Sequence, residues 1–194
     1  MKENIIRIIK DSCDLKEKLI DSEKNLNKII KIVEIIYNSF REGNSVYFCG
    51  NGGSAADAQH LAAEFSGRFY SDRKAYPSFA LHSNSSYVTA VGNDYGFENI
   101  YSRIIDGIGK KGDVLVCIST SGNSENLLRA AKVAKKNKVH TISLTGNNLS
   151  SGLNLHSDIT VNVDSNDTPR IQETHILIGH IICELVEKKL ISNE

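Results

Sequence analysis

His60 and Glu64 stand four residues apart in AADAQHLAAEFSGRF, so one helix face would carry an imidazole beside a carboxylate. Such a pair can grip a divalent ion or move protons, and it is equally an ordinary surface pair. Gln172 and His180 stand eight apart in RIQETHILIGHIICELVE, about 12 Å along a helix axis. Long side chains reaching toward each other from that separation can share one ion at ligand distances of about 2 Å. Taken alone, a histidine within HILIGHIICEL reads as a satisfied core residue, and His175 reads as structural or as support behind a ligand.

Two loops have the composition of an anion cradle. Gly50-Asn51-Gly52-Gly53-Ser54 follows the apolar run SVYFC and opens a helical segment, so backbone N–H groups and a helix N-terminus would face a ligand. Gly50, Gly52 and Ala55 also fit the G-x-G-x-x-A dinucleotide pattern. A dinucleotide site expects an acidic residue at the end of the second strand to hold the ribose, and SFALHS ends in His82 and Ser83. An anion or sugar-phosphate ligand fits better. Ser119-Thr120-Ser121-Gly122-Asn123-Ser124 follows DVLVCI. One or two of its four hydroxyls would suffice to cap a helix, and four suggest phosphate oxygens held by hydroxyl and backbone donors. The chain has no G-x-x-x-x-G-K-[ST] sequence, so nucleotide hydrolysis is not indicated. Asn93-Asp94 alone is turn chemistry.

Elements must bring these loops together. Five short apolar runs, at 45–50, 78–83, 113–119, 139–146 and 158–163, alternate with helical segments. Continuous β-branched runs separated by helices are the pattern of a parallel sheet covered on both faces, which predicts a three-layer α/β/α sandwich. In such sheets ligands bind beyond the carboxyl ends of the strands, where both loops fall. Pro169 sits where the last helix would begin. Upstream, Ile5, Ile9, Leu15, Leu19, Leu26, Ile29, Val33, Ile36 and Phe40 recur at helical spacing, which predicts one or two long helices over residues 1–40. Their apolar content is generous for a helix packed on one side, which either core packing alone or a helix interface between subunits would explain.

Composition narrows the partners. The 194 residues carry 23 Lys+Arg against 23 Asp+Glu, with no basic stripe and no acidic run. Nucleic-acid binding by counterion release is therefore not expected. Cys49, Cys117 and Cys183 lie in apolar runs, Cys13 lies apart, and no C-x-x-C pair occurs, as for reduced thiols in a cytoplasmic protein. No stretch approaches a membrane span, and the charged N-terminus is no signal peptide.

Together, CGNGGSAADAQHLAAEFSGRF, TAVGNDYGFE, ISTSGNSENLL and RIQETHILIGHIICELVE resemble the phosphoheptose isomerases of the sugar isomerase (SIS) domain family nearly end to end. The resemblance implies a parallel five-stranded sheet flanked by helices over residues 41–194, a helical arm over 1–40 and a homotetramer. The implied activity is interconversion of D-sedoheptulose 7-phosphate and D-glycero-D-manno-heptose 7-phosphate, the entry to ADP-heptose and GDP-heptose synthesis. Matched residue by residue, it implies sugar contacts at Asn51, Gly52, Gly53, Asn93 and Asp94, and phosphate contacts at Ser54, Ser119, Thr120, Ser121 and Ser124. It further implies zinc held by His60, Glu64, Gln172 and His180, with Glu64 and Gln172 also meeting substrate and Glu64 and His180 in proton transfer. An enediol route needs these types: a carboxylate for the carbon proton, an imidazole for the oxygen proton, and a divalent ion for the developing charge. The alternative in the same subfamily is a non-catalytic tetramer that binds the replication initiator DnaA and lacks the groups matching Glu64 and His180. Both are present here, which favours the enzyme.

Overall fold

The computed structural model describes residues 1–192. The apolar runs form five parallel strands, β1 (Val46–Gly50), β2 (Ser78–Ala80), β3 (Val114–Ser119), β4 (His140–Thr145) and β5 (Ile159–Asn162), in the order β2-β1-β3-β4-β5. Every residue of β1 and β3 is buried, which is why these strands read as unbroken apolar runs. The order reverses direction between β1 and β3, so a crevice opens beyond their carboxyl ends, where the two loops emerge.

Helices cover both faces. One core packs α1 (Lys2–Ile20), α2 (Glu23–Arg41), α3 (Gly53–Ser66) and α8 (Thr168–Ser192) on one side of the sheet. The other packs α4 (Ser85–Tyr95), α5 (Ile100–Ile108), α6 (Glu125–Lys136) and α7 (Gly152–His156) on the opposite side. The three-layer α/β/α expectation therefore holds. The segment 85–108, one helical stretch in the sequence, is broken at Gly96 (φ 89°), after which a single 3-10 turn leads into α5. The short α7 carried no periodic signal.

The arm divides its apolar residues. Ile32 and Ile36 on α2 are 0% and 1% exposed against the sheet, and each such burial stabilises the fold by about 1.5–3 kcal/mol. Ile5, Ile6, Ile8 and Ile9, in the first half of α1, are 42–57% exposed. Cys49, Cys117 and Cys183 are buried and free, as their apolar contexts indicate. No described helix is long and apolar enough to cross a membrane.

The positions of α3 and α8 decide the site. A Cβ on Gly179 would meet Leu61 Cδ1 at 2.5 Å, and one on Gly53 would meet Gln172 Nε2 at 2.6 Å. Glycine at these two places lets the helices run side by side in the same direction, with contacts at 53 to 172 and 61 to 179. The seam between them carries Gln172 near its start and His60, Glu64 and His180 further along.

Candidate active site

Two sites share that seam. The first is a cavity of about 330 Å³ lined by Asn51, Gly52, Gly53, Ser54, Ile118, Ser119, Thr120, Ser121, Ser124, Thr168 and Gln172. Three helix N-termini meet there: α3 begins at Gly53, α6 at Glu125 and α8 at Thr168. Each presents partial positive charge and unpaired N–H groups, which favours an anion. No Lys, Arg or His lines the cavity.

The hydroxyls of the β3–α6 loop form one cluster. Ser119 Oγ lies 3.4 Å from Ser121 Oγ and 3.3 Å from Ser124 Oγ, and it accepts the Gly122 N–H at 3.1 Å. Ser124 is the N-cap residue of α6, yet its hydroxyl makes no capping bond. Capping therefore does not account for Ser124, which lines the cavity.

Sequence reasoning missed Asn126. Its buried side chain exchanges two hydrogen bonds with Asn51: Asn51 Nδ2 donates to Asn126 Oδ1 at 2.9 Å, and Asn126 Nδ2 donates to Asn51 Oδ1 at 2.8 Å. This amide pair ties the β1–α3 loop to α6, so it sets the width of the cradle. Within SENLL the residue looks like any helical asparagine, and its partner is 75 positions away. Thr168, which also lines the cavity, was missed as well.

The second site is the triad of His60, Glu64 and His180, whose ligand atoms all lie within 4.8 Å of one another. His60 Nε2 is 2.9 Å from Glu64 Oε1 and 3.1 Å from His180 Nε2. Two ligands at about 2.0–2.1 Å from a tetrahedral ion are roughly 3.3 Å apart, so these separations need little adjustment. Facing Nε2 atoms also put at least one lone pair toward the common centre. The donor set fits a first-row divalent ion. His180 is backed by Phe69, whose ring centroid lies 5.7 Å away.

Gln172 lies against Gly53 and lines the cradle, toward the start of the seam that carries the triad. Asn93 and Asp94, exposed at the end of α4, hydrogen-bond each other at 2.8 Å and are not among the residues lining the cradle. His175 is fully buried, in keeping with a structural role, and burial pushes its imidazole down to about 4.

The SIS domain model matches residues 10–146. The chain is 48% identical over 190 residues to a phosphoheptose isomerase of Clostridium acetobutylicum, covering 98% of this chain and 96% of that one. It is 43% identical over 194 residues to one of Aneurinibacillus thermoaerophilus, covering 100% and 98%. The solved phosphoheptose isomerase of Francisella tularensis superposes with a TM-score of 0.90 at 31% identity, covering 96% of this chain and 97% of that one. That of Neisseria gonorrhoeae gives 0.89 at 35% identity, covering 96% and 98%. With the sheet order, the neutral anion cradle and the triad already in place, these matches show that the chain belongs to the phosphoheptose isomerase family of SIS domain proteins.

Proposed function

We propose that the chain interconverts D-sedoheptulose 7-phosphate and D-glycero-D-manno-heptose 7-phosphate, the first step toward ADP- and GDP-heptose, through an enediol or enediolate. The reading is supported by one seam holding both a hydroxyl-rich cavity at three helix N-termini and a carboxylate–imidazole triad. Ser54, Ser119, Thr120, Ser121 and Ser124 bind the phosphate, while Asn51, Gly52 and Gly53 hold the adjoining sugar through the loop that Asn126 braces. Asn93 and Asp94, exposed at the end of α4, are assigned to the sugar end outside the cradle.

Glu64 moves the proton between the two carbons and His180 serves the oxygens, since a carboxylate and an imidazole suit those tasks near neutral pH. His60, Glu64, Gln172 and His180 would hold zinc, which when bound supplies positive charge beside the reacting oxygens. The support for zinc is the donor set, which other first-row ions also satisfy. A carboxylate tied to an ion is the weaker base, so Glu64 would be ligand and base at different stages of turnover or chiefly one of the two.

We also assign the chain to a homotetramer in the cytoplasm. The exposed isoleucines of α1 support self-association, and the free, largely buried cysteines fit a reducing compartment. The DnaA-binding alternative gains nothing from the structure, because Glu64 and His180 converge as an enzyme requires.

Ser124→Ala tests the cradle. Losing one hydrogen bond to a charged oxygen raises KM for the sugar phosphate by about 10- to 100-fold. The melting temperature stays near wild type, since Ser124 makes no capping bond to lose. A variant with unchanged KM would remove Ser124 from the phosphate site.

A further inference from the structure

Arg73 and Glu187 form an ion pair at 2.8 Å with side chains only 3% and 2% exposed. A pair so buried is costly to desolvate and is weak evidence for stability by itself, so what it holds in place is informative. The Glu187 carboxylate accepts the backbone N–H groups of Phe69 at 3.1 Å, Tyr70 at 2.8 Å and Ser71 at 3.0 Å. Arg73 Nη2 donates to the Glu64 carbonyl at 2.8 Å, and Nη1 donates to the carbonyls of Phe65 at 3.0 Å and Gly67 at 3.3 Å. The last carbonyls of a helix have no partner within the helix, so Arg73 closes the end of α3 at the turn that carries Glu64.

The other half of the knot reaches His180. Glu187 follows His180 by seven residues, two turns along the same face of α8. The segment it grips includes Phe69, whose ring backs the His180 imidazole. Burial raises the carboxyl pKa of Glu187, but the N–H donors of Tyr70, Ser71 and Phe69, together with Arg73, outweigh it and leave the net value below the usual range. The carboxylate is thus held ionised.

We propose that Arg73 and Glu187 are positioning residues that lock the end of α3 against α8, so that Glu64 and His60 meet His180 at ligand distance. The cradle lies toward the starts of the same helices, around Gly53, and its β1–α3 loop is held separately by the Asn51–Asn126 pair. Loss of the knot therefore weakens ion binding and turnover while sparing phosphate recognition. This inference rests on the reading of the triad as an ion site.

The test uses the full chain carrying Glu187→Gln or Arg73→Lys, titrated with Co(II) against a chromophoric chelator, with kcat and KM for the sugar phosphate measured on the same preparations. Lysine keeps the charge but lacks the planar fork that serves several carbonyls at once. Both variants are expected to bind the ion about 10- to 100-fold more weakly, as for lost groups behind metal ligands, with a matching fall in kcat and KM within about threefold. Folded variants with wild-type ion affinity and kcat overturn the inference, even if they melt earlier. Wild-type protein that takes up no ion overturns the ion site and this inference with it. If Glu187→Gln does not fold, Arg73→Lys, which preserves the charge balance, decides the matter.

Discussion

Glu64→Gln folds as the wild type does and loses isomerase turnover by a factor of roughly 10²–10⁴, the span supplied by a positioned acid or base. Glutamine keeps the shape of the side chain, and the helix end is held through the Glu64 carbonyl rather than its carboxylate. What disappears is the charge 2.9 Å from His60 Nε2, needed both to take a carbon-bound proton and to balance an ion. His180→Gln retains an amide oxygen able to ligate but cannot pass a proton at neutral pH, so it is expected to bind Co(II) more weakly and turn over in the same reduced range. Kinetics on ion-saturated preparations separate the roles. If saturation restores His180→Gln but not Glu64→Gln, the histidine is chiefly a ligand and the glutamate chiefly a base. Near-normal turnover by both variants would remove the two residues from proton transfer.

The second large effect concerns stability in acid. His175 is 0% exposed on α8, its ring nitrogens make no regular hydrogen bond, and burial, slightly opposed by the backbone of Thr145, lowers its pKa to about 4. An unfolded histidine titrates near 6.5. Between those values the unfolded chain binds a proton that the folded chain refuses, so stability falls as pH drops through 6.5 and the loss is complete below about 4. The difference of about 2.5 units at 1.36 kcal/mol per unit amounts to roughly 3 kcal/mol. Urea unfolding of wild type and His175→Leu between pH 7 and pH 4 checks it: the wild type should lose that amount more than the variant. Parallel pH profiles would show that His175 is protonated as readily folded as unfolded.

Much of the fold was legible because burial on both sides of the sheet writes itself as unbroken apolar runs, and each observed strand falls inside its expected run. The break at Gly96 was not, since the sequence on either side keeps its helical character. The β3–α6 loop stood out because four hydroxyls exceed what a cap needs, and Ser119, Ser121 and Ser124 do gather into one cluster. By contrast, His60 and Glu64 at four-residue spacing fit a surface pair equally well, and only the family resemblance joined them to His180, 120 residues away. Arg73 and Glu187 were invisible: in GRFYSDRKAY and LVEKK they look like solvated charges, and 114 residues separate them. Such pairs are created by packing, and no local pattern announces them.

On the proposed reading, this seam isomerises a sugar phosphate with a divalent ion at the triad. Purified protein incubated with D-sedoheptulose 7-phosphate, with and without prior chelation, tests it directly when aldose formation is followed by NMR. D-glycero-D-manno-heptose 7-phosphate is expected to approach equilibrium with the ketose, its formation abolished by chelation and restored by zinc. No aldose from the zinc-loaded protein, or turnover indifferent to chelation, would contradict it.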